Sequence, residues 1–193
     1  MFKREKILIV IMLFVSGNFI NCNIHQNDES RKQLFDLNWK FNKSDQTLAS
    51  GIVFNDQNWR SIDLPHDWSI DNEFLISLSE NSTGSTSSEV GWYRKHFEIP
   101  ENWMDKNILI DFEGISKQYE IFINGTSISD NQNKTNSFQA ILNPYLKYDG
   151  KNVIAIRVII PGESENKLQP ETGIYKHVWL IIKNKSENKF TKN

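Results

Sequence analysis

His66 and Asp67 stand side by side in the short stretch LPHDW, which occupies residues 64–68. An imidazole next to a carboxylate could ligate a metal ion or transfer a proton. Adjacent residues on a strand point to opposite faces, however, so these two side chains cannot easily converge on one ion. We therefore expect His66 and Asp67 to hold a buried turn together by hydrogen bonds, with Trp68 packed beneath them.

The other polar residues offer no complete catalytic set either. Asp111 and Glu113 are two residues apart and would share one face of a strand, but polar residues are also expected there at the edge of a sheet. His96 and His177 are interpreted as ordinary surface or interface residues. The sequence contains neither a G-x-S-x-G nucleophile elbow nor a P-loop. We assign no catalytic residue, no metal ligand and no cofactor.

The composition favours a neutral ligand over nucleic acid. The formal net charge is -2, and no long run of Lys and Arg supplies the concentrated positive field that phosphate binding needs. The chain contains 12 Phe, 6 Trp and 5 Tyr, and aromatic side chains provide both core volume and flat faces on which sugars or bases stack. Most of them are expected in the core of one medium-sized domain.

Alternating apolar and polar residues predict about eight strands and no amphipathic helix of useful length. Asn124 and Gly125 predict a tight hairpin turn, since both residues tolerate positive φ. Trp92, Arg94, His96 and Glu98 would form the wetter face of their strand. Residues 71–90 and 161–172 read as long polar loops. The expected strands are 37–41, a short strand ending before Pro65, 92–99, 107–112, a hairpin that pairs 118–123 with 126–129, and then 136–142, 152–160 and 173–182. Together they indicate an all-β antiparallel sandwich.

The first residues are typical of an export signal. A basic start is followed by nine apolar residues at 7–15, which is short for a bilayer span. Cys22, the only Cys, follows in a context like a bacterial lipoprotein cleavage site, although an ordinary signal peptide with an incidental Cys is the alternative. We expect an exported protein of the bacterial cell envelope, lipid-anchored at Cys22. The expected divisions are a signal peptide at 1–21, a polar linker at 22–33, the sandwich at 34–183 and a polar tail at 184–193.

Seven short stretches occur in an order that resembles one known family. They are LPHDW (64–68), GWYRKHF (91–97), DFEG (111–114), ING (123–125), NPYL (143–146), NVIAIRV (152–158) and GIYKHVWL (173–180). Over residues 34–182 the chain resembles the N-terminal sugar-binding domain of glycoside hydrolase family 2, and is most similar to the β-galactosidase-like members. The resemblance implies a jelly-roll sandwich of the galactose-binding type.

The resemblance implies that the two catalytic Glu residues of the family lie on a TIM barrel that follows an intervening domain. Such a barrel takes about 250 residues. The pair is therefore not expected in this sequence. One loop also departs from the family, because residues 166–172 lack the usual Arg, Trp and Tyr that help to wall the catalytic pocket. The candidate substrate-binding residues are Asn81, Trp92, Glu171 and Tyr175.

Three interpretations follow from the resemblance. The first is the N-terminal carbohydrate-binding part of a truncated or split β-galactosidase-like protein, of hydrolytic lineage but unable to cleave glycosides alone. The second is a stand-alone surface module that binds a galactoside-like glycan. The third is a partner subunit of a separately encoded hydrolase.

Overall fold

The structure is a computed structural model that describes residues 30–68, 88–129, 136–161 and 171–185. The predicted signal peptide, Cys22 and Asn81 lie outside these residues, as does most of the predicted loop at 71–90. Within the described ranges, no helix has the length and apolar character needed to cross a membrane.

Twelve strands form the described part of the chain, and all the pairings between them are antiparallel. In chain order they are β1 (Arg31–Leu34), β2 (Trp39–Asn42), β3 (Arg60–Ile62), β4 (His66–Asp67), β5 (Glu89–Glu98), β6 (Lys106–Phe112), β7 (Tyr119–Ile123), β8 (Thr126–Ser127), β9 (Phe138–Ile141), β10 (Lys151–Ile160), β11 (Gly173–Ile174) and β12 (Val178–Asn184). Short 3₁₀ turns lie at Thr47–Ser50, Glu101–Trp103 and Asn143–Tyr145. The prediction of an all-β antiparallel fold is confirmed.

Two large sheets and one small one organise these strands. The first large sheet has the order β1-β12-β6-β9, and the second has the order β3-β2-β5-β10-β7-β8. The short strands β4 and β11 pair with each other in a separate two-stranded sheet. The apolar stretch predicted as a central strand forms β10, which lies between β5 and β7.

In β6 and β10, the residues that enter the main hydrophobic core occupy every second position. In β6, Ile108, Ile110 and Phe112 have no exposed surface, and Ile154 and Ile156 of β10 are equally buried. Burying one such side chain contributes about 1.5–3 kcal/mol to stability. This period-two pattern is the reason the sequence predicts these strands correctly.

The hairpin predicted at Asn124 and Gly125 is confirmed. Both residues have positive φ, at 51° and 84°, and Ile123 pairs with Thr126 across the turn. Positive φ at both central residues defines the type of two-residue turn that matches the natural twist of paired strands.

Several strand boundaries differ from the sequence predictions, and two of these differences change how the strands pair. β1 begins at Arg31, inside the stretch predicted as a polar linker, and its four residues are all exposed. It pairs with β12 at the edge of its sheet, so no buried face imposes an alternating pattern on its sequence. The strand predicted at 173–182 is divided into β11 and β12, because residues 173–174 pair with β4 instead of the large sheet.

One face of β5 is drier than predicted. His96 and Glu98 are exposed as expected, but Trp92 and Arg94 are only 1% and 0% exposed. A second hydrophobic cluster covers this end of the strand; it contains Ala49, Trp59, Trp92 and Ala155, with Phe54, Val90 and Phe122 packed against it. The segment that covers it, residues 43–59, follows β2 directly in sequence and has no alternating pattern of apolar and polar residues. We call it the covering segment.

Candidate functional site

His66 is a structural residue that links two parts of the sandwich. The guanidinium of Arg60 donates to Nε2 of His66 over 2.8 Å, and Nδ1 lies 2.8 Å from the Tyr93 hydroxyl. Since a guanidinium can only donate, Nε2 accepts and Nδ1 carries the hydrogen of the neutral ring. The sequence interpretation of His66 as part of a hydrogen-bonded turn is confirmed.

Trp68 packs in the main hydrophobic core against Tyr93, the residue that also contacts His66. Its indole is 1% exposed and lies parallel to the ring of Tyr93, with an interplanar angle of 10° and centroids 6.3 Å apart. Gly91 makes this packing possible, because a Cβ atom added there would lie 1.5 Å from the Trp68 ring. The residues of the LPHDW stretch therefore anchor the fold.

Asp67 holds the chain segment that precedes β11. Its carboxylate accepts hydrogen bonds from the backbone N–H of Glu171, over 3.2 Å, and from the hydroxyl of Thr172. Ser116 acts on the same segment, since its Oγ accepts from the Gly173 N–H over 2.7 Å and donates to the Glu171 carbonyl over 3.0 Å. These bonds hold Glu171 at φ 75°, which a non-glycine residue rarely adopts.

Tyr175, Glu171 and Asn136 meet at this end of the sandwich, and we call them the loop-end cluster. Burial raises the pKa of the Tyr175 phenol, and the charge of Glu171 and its hydrogen bond raise that pKa further. A hydrogen bond with Asn136 acts in the opposite direction on the same pKa. The phenol therefore stays protonated at neutral pH, between a carboxylate and an amide.

The loop-end cluster is tightly supported by its surroundings. A Cβ atom added to Gly114 would lie 2.7 Å from the Tyr175 ring, so the backbone at Gly114 packs directly against that ring. The Lys176 ammonium lies 5.9 Å from the centroid of the same ring. In sequence, the undescribed segments 130–135 and 162–170 lead directly into Asn136 and Glu171.

The structure places the four candidate substrate-binding residues in different environments. Glu171 and Tyr175 come together in the loop-end cluster, whereas Asn81 lies outside the described residues. Trp92 requires a correction, because its indole is buried in the second hydrophobic cluster and stacks on Phe122 with centroids 6.0 Å apart. A ring that is 1% exposed has no free face for a sugar. Asn136 was not among the predicted residues, and no local sequence signal identifies it.

Asp111 and Glu113 do not form a free carboxylate pair. Glu113 accepts hydrogen bonds from Trp179 Nε1 over 2.8 Å and from Lys32 Nζ over 3.3 Å. Asp111 lies within β6, directly across from Trp179 of β12. Glu113 is thus engaged in holding side chains on the sheet surface, in agreement with a structural role.

The sequence did not identify two buried carboxylates that pair with histidines. Asp56 binds Arg94 Nε and His96 Nε2, each over 2.9 Å, and Asp36 lies 2.6 Å from His177 Nδ1. Burial on its own raises the pKa of Asp56, but the bonds from Arg94 and His96 outweigh it and hold that pKa below its usual value. Among the described residues, no group of three or more His, Cys, Asp or Glu side chains is arranged to hold a metal ion.

The strand pairings define an antiparallel β-sandwich. Residues 33–183 match the family model described as "Glycosyl hydrolases family 2, sugar binding domain". The chain therefore belongs to glycoside hydrolase family 2 and carries its N-terminal sugar-binding domain.

Curated relatives support this assignment. A β-galactosidase of Bacteroides ovatus is 37% identical over 147 residues, which are 76% of this chain and 17% of that protein. A β-glucuronidase of Formosa agariphila is 33% identical over 126 residues, which are 64% of this chain and 13% of that protein. The chain spans 13–21% of the length of the curated relatives it matches.

Solved structures of family members share the fold. A β-glycosidase from Bacteroides vulgatus matches with a TM-score of 0.66 at 35% identity, over 80% of this chain and 20% of that chain. A family 2 member from Bacteroides cellulosilyticus matches with a TM-score of 0.65 at 31% identity, over 80% of this chain and 21% of that chain.

Proposed function

We propose that this domain holds a β-galactoside-type glycan at its loop-end cluster and contributes binding, not bond cleavage, to a family 2 glycosidase. The observation that carries the proposal is the position of the Tyr175 phenol, between the carboxylate of Glu171 and the amide of Asn136. Sugar recognition depends on such convergent donors and acceptors beside an aromatic ring.

The three side chains offer complementary chemistry for sugar hydroxyls. A neutral phenol both donates and accepts, a carboxylate accepts only, and an amide presents two donors and one acceptor. Asp67 and Ser116 fix the backbone around Glu171 through the bonds described above. A site held in place before binding loses less conformational entropy when the ligand arrives.

Charge favours a neutral sugar over a uronic acid at this cluster. Glu171 places a carboxylate beside the phenol, and the ammonium of Lys176 lies 5.9 Å from the centroid of the ring. A uronate would need a surplus of cationic donors, typically an Arg that binds its carboxylate in a bidentate manner. The relatives include a protein named β-galactosidase and others named β-glucuronidase, so the two sugar classes are the natural pair to compare.

Bond cleavage by this domain alone is not expected. A retaining glycosidase needs two carboxyl groups about 5 Å apart across the scissile bond. In the described part of the chain, Glu113 is occupied by Lys32 and Trp179, and Asp36 and Asp56 are buried against histidines. Hydrolysis would be the task of a catalytic barrel, whether joined to this domain or encoded separately.

Export and anchoring are part of the same proposal. The basic start, the apolar run at 7–15 and Cys22 support attachment to the bacterial cell envelope. Intact-mass analysis of the protein from membrane fractions tests this directly. Diacylated Cys22 as the first residue is expected, and a mature form without lipid would overturn the anchor.

The binding proposal is tested by ligand-observed NMR with methyl β-galactoside and methyl β-glucuronide. We expect saturable binding of the galactoside that Tyr175→Phe and Glu171→Gln each weaken, and weaker binding of the glucuronide. Binding that neither substitution changes would place the sugar elsewhere on the protein.

A further inference from the structure

Trp179 stands apart from the other five tryptophans, all of which lie in the described part of the chain. Those five belong to or pack against the two hydrophobic clusters, whereas Trp179 does neither. It lies between the buried residues Val178 and Leu180 of β12, so strand alternation turns its indole to the outer face of the four-stranded sheet. A large aromatic side chain that contributes to neither core is available for another role.

Polar neighbours hold the Trp179 indole in place. Its Nε1 donates to Glu113 over 2.8 Å, and the Lys32 ammonium lies 4.2 Å from the ring centroid. Lys32 also binds Glu113 over 3.3 Å, and the His177 ring centroid lies 6.1 Å from the indole. The ring is half-buried, and its orientation is set by charged groups at the surface.

The surrounding groups are themselves oriented for hydrogen bonding. Asp36 is 2% exposed, accepts from the Val178 N–H over 2.8 Å and lies 2.6 Å from His177 Nδ1. This contact fixes the rotation of the His177 ring, whose side chain remains 49% exposed. On the other side of Trp179, the register places Asp111 of β6 opposite it, and Gln139 of β9 opposite Asp111.

We propose that Trp179, with Asp111, Glu113 and His177 around it, is a second carbohydrate-binding site that takes a neutral pyranoside. The C–H face of a pyranose ring packs on an indole, and carboxylate, amide and imidazole groups bond the hydroxyls at its edge. The site shares no residue with the loop-end cluster, so it does not depend on the function proposed above.

Lys32 covers the indole only weakly. Cation–π contacts and ion pairs at exposed positions are both weak interactions. The side chains of Lys32 and Glu113 are 45% and 38% exposed, so both belong to this weak class. A sugar can therefore displace the lysine side chain from the ring at small cost.

The charges around Trp179 select a neutral ligand. Asp111 and Glu113 supply two carboxylates, and Lys32 supplies an ammonium that already binds one of them. A uronide would bring a third carboxylate into this group. An aliphatic row also lies on the same sheet face, with Ile181, Leu109 and Ile141 in register across three strands. Its Ile141 member provides a matched control, because it is 39% exposed on that face and carries no polar group.

The test is a ¹⁵N–¹H NMR titration of the full chain that follows the six tryptophan indole N–H signals. The Trp179 signal is assigned by its loss in Trp179→Phe, and methyl β-galactoside, methyl β-glucoside and methyl β-glucuronide serve as probes. We expect saturable shifts of the Trp179 signal with the two neutral glycosides. Because Trp179→Ala removes this signal, its effect is measured by ligand-observed NMR with Tyr175→Phe as the background. The double variant should bind the neutral glycosides at least about tenfold more weakly than Tyr175→Phe alone, because the stacking surface is removed.

Two control variants distinguish binding at this site from binding at the loop-end cluster and from nonspecific binding to the protein surface. Ile141→Ala and Tyr175→Phe should leave the titration of the Trp179 signal unchanged, even if Tyr175→Phe abolishes binding at its own cluster. An unmoved Trp179 signal at saturating galactoside would overturn the proposal, and so would loss of the shift in Ile141→Ala. Equal shifts with the glucuronide would overturn the assignment to neutral sugars. The wild-type titration stands even if Trp179→Ala fails to fold.

Discussion

Replacing Arg94 by Met tests how the second hydrophobic cluster is held to the sandwich. Arg94 has no exposed surface; its Nε donates to Asp56 over 2.9 Å, and its Nη1 donates to Gly51 O over 3.1 Å and also to Ala49 O. One buried guanidinium thus fastens the covering segment to β5 at three points. Met preserves most of the apolar stem and removes every donor.

The expected cost follows from the groups left behind. Removing one partner of a buried ion pair costs about 3–5 kcal/mol when the other charge is left buried and uncompensated. His96 still binds Asp56 after Arg94 is replaced, which favours the lower end of this range. Arg94 Nη2 has no hydrogen-bond partner among the described residues, so its removal recovers part of that cost. We therefore expect Arg94→Met to lower the free energy of unfolding by about 3 kcal/mol.

Urea unfolding followed by tryptophan fluorescence measures this cost. Asp56→Asn combined with Arg94→Met should destabilise by less than the sum of the single substitutions, because the double variant leaves no unpaired charge. Arg94→Lys, which keeps the charge but cannot reach all three acceptors, should fall between wild type and Arg94→Met, and it serves if the Met variant does not fold.

Arg157 supplies the matched control. It binds Asp45 over 2.8 Å and Glu120 over 3.3 Å, but the three side chains are 23%, 44% and 31% exposed. Exposed pairs of this kind contribute about 0–1 kcal/mol each, so Arg157→Met should cost less than Arg94→Met. Equal losses for the two Met variants, or strictly additive losses for Arg94 and Asp56, would refute the account of Arg94 as a buried anchor.

Three further predictions concern single residues. Gly91→Ala should cost at least about 3 kcal/mol or prevent folding, because its Cβ would overlap the Trp68 ring, whereas Gly150→Ala, with nothing within 4 Å, should change thermal stability by less than about 0.5 kcal/mol. Asp56 has a lowered pKa in the folded state, so its contribution to stability is complete above its unfolded pKa, about 4, and is lost as the pH falls through the lower folded value. Asp56→Asn should reduce this loss of stability in urea unfolding measured from about pH 2 to about pH 6, and an unchanged loss at acid pH would contradict the pairing. In ultraviolet difference titrations, the pKa of Tyr175 should lie above that of an ordinary phenol because of its burial and the charge of Glu171. Glu171→Gln should lower this pKa, and an unaltered pKa would show that the two side chains do not interact.

Local sequence patterns predict those parts of the fold whose physical cause is local. Asn124 and Gly125 specify the hairpin through their tolerance of positive φ. The residues of β6 and β10 that enter the main hydrophobic core repeat at period two. The roles of His66 and Trp68 also follow from the sequence, because a strand pattern keeps two adjacent side chains from sharing one site.

Long-range pairings could not be predicted in this way. Asp56 and Arg94 are 38 positions apart, and nothing near either residue indicates that a loop covers β5 and buries both. The same covering loop removes Trp92 from the surface, although its strand pattern places it on the wetter face. In the loop-end cluster, Glu171 and Tyr175 are close in sequence, but Asn136 joins them only through the fold.

Ligand-observed NMR of the purified full chain with methyl β-galactoside tests the central claim most directly. The claim is that the domain binds a neutral glycoside without cleaving it. Binding with a dissociation constant on the order of 1 mM is expected, weakened by Tyr175→Phe and Glu171→Gln, with no release of nitrophenol when nitrophenyl β-galactoside replaces the probe. Absence of binding, or nitrophenol release that depends on a carboxylate of this domain, would contradict it.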